Sequence, residues 1–579
     1  SQSEPQETDP RKSICYQVPA ACGHGLTLVV SPLIALMDDQ VAAAREAGLR
    51  VGALHSNLEG DERRSVREAL SRGELDLLYM SPERLVAGDL IPILSDRLRL
   101  VAIDEAHCVS HWGHEFRPEY RELSSILEHF PKASRMALTA TATAAVRDDI
   151  EAQLGLRDPL RLIGHPDRPN LVYRAFPRRE QVAQVLEAIR RHPNEGGIVY
   201  AQTRKEVERL AESLKAAGVA CRPYHAGLDP EHRRKTQAAF VNEKLDVVVA
   251  TIAFGMGIDR SNVRFVVHAN APKSVEHYQQ ESGRAGRDGL PAECVLLFTA
   301  GDLAAHRRLA TMDGALSPER MRVLERQLKA IGRYASSPVC RHKMLVEHFG
   351  AAVERPDCGA CDVCLGETKS LPADEALLTA KKIISAAWRL EGRFGSGYVV
   401  NLLLGKADER MERHGHSSLK VFGLLKEAGE AAVRQWVDQL IVQGFLEIVE
   451  KDDYPLLAMT AAGKALCADQ GEVKLGAVIA TKKGARRSKK GGSAARPDAE
   501  DPLFDRLRQL RKLLASRQGV PPYVIFHDST LAELAELKPS DENALRGVKG
   551  VGEKKLERYG AAFLKVIAGR DPETVASSF

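Results

Sequence analysis

LVAIDEAHCVSHWGHEFRPEY, residues 100–120, is the stretch on which the reading of this chain turns. Its first four residues are an unbroken apolar run, as expected of a strand covered on both faces of a parallel sheet. Asp104 and Glu105 follow at the strand's carboxyl end. Two carboxylates there suit hydrolysis of a Mg²⁺–nucleotide, with Asp104 holding the metal and Glu105 positioning or deprotonating the attacking water. A solvated acidic turn would look the same in four residues, so the neighbouring segments must decide.

Working outward, LTLVVS (26–31), LDLLYMS (75–81), GGIVYA (196–201), LDVVVAT (245–251) and RFVVHAN (264–270) are further strand candidates. Amphipathic runs such as RKEVERLAESLKAAG (204–218) lie between them, which is βαβ punctuation and predicts parallel sheets. The Pro-containing polar stretch LIGHPDRPNLVYRAF (162–176) divides this region into two α/β lobes. After Phe298 the pattern turns helical, and residues 369–470 mix short helices with two extended runs joined by EKDDYP (450–455), a β-wing. Residues 471–500 are rich in Gly, Ser, Ala and Lys and read as a flexible linker, with six basic residues and no acid in KKGARRSKK (482–490). A compact helical pattern returns from Asp501.

Composition narrows the function classes. The 579 residues carry a net charge of only +4, with 44% hydrophobic and 28% charged residues, ordinary for a globular protein of several domains. No segment approaches the ~18 uncharged apolar residues of a membrane span, and the polar, acidic start SQSEPQETDP does not read as a secretory leader. Six of the ten cysteines are scattered, but Cys340, Cys358, Cys361 and Cys364 cluster with two overlapping CxxC units. Four thiolates at that spacing fit tetrahedral zinc with no open position, hence a structural site.

QESGRAGRDG (280–289) places Arg284 and Arg287 three residues apart, about a helical turn, able to reach phosphate oxygens from the opposite lobe. A surface arginine pair on a helix is the plainer alternative. SPLIAL (31–36), TATAT (139–143), YHAGL (224–228) and TIAFGMGID (251–259) complete the layout of a helicase motor.

On these motifs the chain resembles the RecQ family of DNA helicases, within the DEAD/DEAH-like superfamily, from Lys12 to about Arg570. DEAHCVSHWGHEFRPEY (104–120) is the most specific piece, because an acidic box running into Trp112, Phe116, Arg117 and Tyr120 is similar to the family's aromatic-rich loop. There it senses single-stranded DNA, and aromatics stack on any base. Packing within the loop is the alternative for Phe116 and Tyr120. The resemblance implies two RecA-like α/β lobes (1–165 and 166–300), a helical zinc-binding subdomain (301–368), a winged-helix RQC domain (369–470), a basic linker (471–500) and a small helical HRDC domain (501–579). It implies ATP, Mg²⁺ and Zn²⁺ as cofactors. Lys12, Ser13, Asp104, Glu105 and His107 would act on ATP from one lobe. Gly257, Asp259, Gln280, Arg284 and Arg287 would act from the other. Arg393, Lys406, Arg410, Lys420 and Lys426 are candidate duplex contacts in the winged helix, and Lys554 and Lys555 follow a glycine-rich turn in the last domain. The expected activity is ATP-dependent 3′-to-5′ unwinding of duplex or forked DNA in repair, recombination and the SOS response. Expected partners are single-stranded and forked DNA and a single-strand DNA-binding protein. The expected place is the bacterial cytoplasm, at the nucleoid.

One segment departs from the family pattern. In TDPRKSICYQVPA (8–20), Lys12 and Ser13 have the identities that serve phosphate and Mg²⁺, but Asp9, Pro10 and Arg11 stand where the family has glycines. Pro10 has no N–H to donate, and Arg11 would have to adopt a conformation that glycine takes more easily. Poor ATP binding is therefore expected of the chain as written. Two readings stay open: a working helicase with a truncated or misread start, or a zinc-containing DNA-binding protein with a disabled ATPase. An RNA helicase would share the motor but would not explain the aromatic loop, the cysteines and the winged helix together.

Overall fold

The computed structural model describes residues 11–23, 25–32, 34–56, 58–110, 117–255, 260–312, 316–353, 357–451, 454–478 and 501–579. Expectations for Asp9, Pro10, Trp112, Phe116, Gly257, Asp259 and the basic run 482–490 fall outside these residues.

The apolar runs become two parallel sheets. The first holds β1 (Leu26–Val30), β2 (Val51–Leu54), β3 (Leu77–Met80), β4 (Leu98–Ile103) and β5 (Ser134–Ala137) in the order β2-β3-β1-β4-β5. The second holds β6 (Leu171–Pro177), β7 (Gly196–Tyr200), β8 (Cys221–Tyr224), β9 (Val247–Ala250), β10 (Val263–His268) and β11 (Ala292–Phe298) in the order β6-β11-β10-β7-β9-β8. All pairings within both sheets are parallel. Every residue of β1, β3, β7, β9, β10 and β11 is buried, because helices cover both faces.

The covering helices follow their apolar spacing. Arg204–Ala216 buries Val207, Leu210, Ala211 and Leu214, positions that share one helical face. Its first turn is fixed by Thr203, whose hydroxyl accepts from the Glu206 N–H; such a cap contributes about 1 kcal/mol.

The core of the second lobe continues without a break into the zinc-side helices through Leu324, Leu328, Ile331, Tyr334 and Leu345. The helix–hairpin unit that follows has its own core around Ile383, Val399, Trp436 and Leu457. Its wing is the antiparallel pair β13 (Leu446–Lys451) and β14 (Tyr454–Met459), preceded in the chain by the short β12 (Thr368–Ser370). The start of the stretch expected to be a flexible linker (471–500) departs from that expectation: Gly476–Val478 forms β15 and pairs antiparallel with β12. The cause is local, since Gln439 accepts from the Gly476 N–H at 3.0 Å and donates to its carbonyl at 3.2 Å.

The last domain, Pro502 to Ser577, is a helical unit around Leu510, Leu514, Phe526 and Phe563. It rests on the second lobe through buried charge. Arg511, fully buried, donates to Glu243 at 2.9 Å and to Asp528 at 2.6 Å, and Arg508 reaches Glu195 at 3.1 Å.

Candidate functional site

In the first sheet β3 and β2 lie to one side of β1, and β4 and β5 to the other. The carboxyl ends of β1 and β4 therefore border the crevice where open α/β sheets place their ligands. Asp104 lies there, locked by its own N–H to the Val30 carbonyl at 2.9 Å. Glu105 takes a left-handed conformation at φ +46° and directs its N–H to Asp104 Oδ1 at 2.9 Å. The helix Arg11–Ala21 brings Lys12 to the same place, with its ammonium 4.0 Å from Glu105. Ser13 follows Lys12 in the first helical turn.

His107, buried, lies 3.3 Å from Glu105 and 3.0 Å from the Thr139 hydroxyl of TATAT. Both approaches are made by the same ring nitrogen, Nδ1, so the imidazole sits between the acidic box and the segment after β5. Burial and the neighbouring Glu105 push the Asp104 carboxyl up to about 6, against the pull of Lys12. A buried, raised carboxylate facing an ammonium is a cradle that a divalent cation with polyphosphate would complete. The donor set fits Mg²⁺–ATP.

Tyr120 is fully buried and donates its hydroxyl to the Asp104 carbonyl at 3.0 Å, so it braces the acidic turn and is not placed to stack on a base. Arg117 is half-buried and donates to the Pro32 carbonyl at 3.3 Å.

The second lobe holds Arg284 and Arg287 beyond the end of the helix Val275–Ser282, in a run of turns, and not on a helix as their spacing implied. Gly283, Gly286 and Gly289 end the helical path, and Gly286 has φ +56°. Nor is this a surface pair: Arg284 is buried and donates to the Gly255 carbonyl, within TIAFGMGID, while Arg287 is half-buried. Gln280 is half-buried on the preceding helix.

The four clustered cysteines converge, with all sulfur atoms within 4.8 Å of one another. Ligands about 2.3 Å from a tetrahedral zinc would stand closer than that limit to one another, so the geometry fits the ion. The loop is tied to the lobe: Tyr173 of β6 exchanges backbone bonds with Ala360 and Asp362, and Asp362 accepts both arms of the buried Arg341 at 2.8 Å.

The candidate DNA contacts are dispersed. Arg393, Lys406, Arg410, Lys420 and Lys426 are exposed on the winged-helix unit. Arg410 lies over the stacked rings of Phe394 and Tyr398, and Lys406 is paired with Glu430 at 2.6 Å. In the last domain Lys554 is exposed, but Lys555 turns inward over the Phe526 ring and burial lowers its affinity for a proton. The glycine turn before them has a packing reason as well, since a Cβ on Gly550 would meet the Thr530 hydroxyl at 2.5 Å.

Comparison with known proteins covers nearly the whole chain. Residues 12–150 match the DEAD/DEAH box helicase family and 179–289 the helicase conserved C-terminal domain. Residues 300–365 match RecQ zinc-binding, 374–483 the RQC domain and 500–567 the HRDC domain. The ATP-dependent DNA helicase RecQ of Haemophilus influenzae is 39% identical over 559 residues, spanning 96% of this chain and 89% of that protein. The chain belongs to the RecQ family of ATP-dependent DNA helicases. The RecQ helicase of Bacillus subtilis is 38% identical over 559 residues, with 96% and 91% covered. Among solved structures, the helicase MrfA bound to DNA and AMPPNP matches at TM-score 0.44 and 22% identity, over 56% of this chain and 51% of its own. For a RecQ-family chain, the helicase matches imply ATP and Mg²⁺, and the zinc-binding match with its converging cysteines supports Zn²⁺. Among the described residues no helix is long and apolar enough to cross a membrane.

The Thr139 hydroxyl and Arg168, a buried arginine between the lobes, were not singled out by sequence reasoning. Thr139 had a signal in TATAT. The role of Arg168 has none, because its partners lie more than a hundred residues away.

Proposed function

We propose that this RecQ-family chain couples ATP hydrolysis to 3′-to-5′ movement on single-stranded DNA and unwinds forked or recombination-type duplexes. Lys12 would sit against the β- and γ-phosphates and Ser13 and Asp104 against the cation. Mg²⁺, when bound, neutralises developing phosphate charge. Glu105 orients and deprotonates the attacking water, and His107 holds its Nδ1 between that carboxylate and Thr139. Arg284 and Arg287 reach the phosphates from the second lobe, with Gln280, Gly257 and Asp259 nearby in sequence. Trp112, Phe116 and Arg117 would meet single-stranded DNA. Arg393, Lys420 and Lys554 would meet duplex phosphates, with Lys555 contributing less because it faces Phe526.

The observation that carries this reading is the Lys12–Glu105 approach at 4.0 Å beside buried Asp104. It supports a working motor over a silent DNA binder, since the groups that phosphoryl transfer needs face one another. Work at the bacterial nucleoid in repair, recombination and the SOS response, with a single-strand DNA-binding protein, accords with family membership.

The test is ATP turnover by the chain with and without single-stranded DNA, against Asp104→Asn, followed by strand separation on 3′-tailed and 5′-tailed duplexes. DNA-stimulated turnover absent from the variant, with unwinding of the 3′-tailed substrate, is expected. DNA binding with no turnover would leave the silent-motor reading, and stimulation by RNA alone would favour an RNA helicase.

A further inference from the structure

The turn that bears Arg284 and Arg287 is held from beneath by a residue no motif contains. Arg168 lies in the segment joining the two lobes, just before β6, and is 5% exposed. Its guanidinium donates to three carbonyls of the turn: Gly283 at 3.3 Å, Ala285 at 3.2 Å and Gly286 at 2.9 Å. Asn170, two residues on, donates to Gly286 at 2.9 Å and Leu290 at 3.0 Å. The Gly286 N–H closes the other side on the Val263 carbonyl at 2.9 Å. A Cβ on Gly286 would meet Asn170 at 2.6 Å, so the glycine is needed for this approach.

These bonds answer a definite need. A helix that stops leaves its last carbonyls without intrahelical partners, and here the following turns are buried as well. One guanidinium has five N–H groups in a rigid fork and can serve three carbonyls at once, which an ammonium cannot do with the same geometry. The segment is itself anchored, for Gln279 donates to the Pro166 carbonyl at 3.1 Å and Asp167 pairs with His342 of the zinc-side helix Arg341–His348.

We propose that Arg168 is a positioning residue for catalysis: it fixes the turn 283–288 so that Arg284 and Arg287 are presented to the nucleotide in one arrangement. This rests on the reading of those two arginines as phosphate-directed groups. The proposal assigns Arg168 no contact with substrate. It acts through the carbonyls that space the two arginines.

Two measurements on the full chain test it, using Arg168→Ala and Arg168→Lys, with zinc content and melting temperature as controls for folding. Hydrogen–deuterium exchange without nucleotide is the first. Peptides covering 283–290 should exchange at least about tenfold faster in either variant, while β7, β9 and β10 keep their protection. Unchanged protection of 283–290 overturns the proposal, and so does equal loosening of the whole lobe. The second is a double-mutant cycle with Arg287→Ala on DNA-stimulated ATP turnover. Arg168→Ala should lower kcat roughly 10–100-fold with the KM for ATP within about threefold, and the double variant should be no slower than Arg287→Ala alone. Additive losses mean Arg168 acts elsewhere and overturn the proposal. Full kcat in both Arg284→Ala and Arg287→Ala would instead sink the reading of the arginines, a distinct failure.

Discussion

The Asp104 carboxyl is 5% exposed, beside Glu105 and opposite Lys12, and sits at about 6 where an ordinary aspartate titrates near 3.8. The folded protein thus holds this proton more tightly than the unfolded chain. The stability linked to it is complete at low pH and is lost as pH rises from about 4 through about 6. Asp104→Asn removes the buried charge. Above pH 6 its melting temperature should exceed that of the parent by a few degrees, while ATP turnover falls roughly 10²–10³-fold. A turnover-deficient variant with lowered melting temperature would show that the carboxylate is held by favourable contacts and not strained by burial. The pair Asp104–Glu105 was legible in the sequence because strand and acid are contiguous. Tyr120 was half legible: its aromatic ring suggested DNA, but only the fold shows its hydroxyl committed to the Asp104 carbonyl. Lys555 misleads in the same way, since a lysine after a glycine turn reads as a phosphate contact until Phe526 is seen beneath it.

Among the elements, long apolar strands such as LTLVV and LRLVAI were readable because burial on both faces demands continuous hydrophobicity. The three-residue strands Thr368–Ser370 and Gly476–Val478 were not, since neither carries an alternating pattern and their pairing spans the whole winged-helix unit. The arginine pair was placed on a helix by spacing alone, whereas three glycines in seven residues bend it into turns. One contact between elements has a pH signature. Asp438, on the helix Glu430–Val442, accepts the Ala300 N–H at 3.1 Å, and burial raises it to about 7, with Asp302 adding repulsion and Arg178 and Arg434 opposing it. Its stability contribution is present at low pH and fades as pH rises through about 7. The unfolding free energy from urea titrations should therefore fall between pH 5 and 8 by roughly 2 kcal/mol, and Asp438→Asn should flatten that slope. An unchanged slope in the variant would assign the pH dependence elsewhere.

On the scale of the whole molecule, the order of the units was legible from composition and motifs, but their docking was not. Arg511 and Glu243 are 268 residues apart in sequence, and nothing local marks them as partners. Together with Arg508 and Asp528 they form a buried charge cluster between the last domain and the second lobe, with the half-exposed Lys512 at its edge. Removing one member leaves the others charged and dry. Arg511→Met should cost about 3–5 kcal/mol and release the last domain, read as faster proteolysis within residues 501–579 and a larger radius of gyration. A variant as compact and resistant as the parent would mean that apolar contacts alone hold the domain.

The pairing of Thr368 with Val478 has a mechanical side. The chain enters the winged-helix unit from the zinc side on one strand of this ribbon and leaves on the other toward the last domain, with Thr368 opposite Val478. A pull applied across the two ends at residues 368 and 478 would meet only those few hydrogen bonds, one after another.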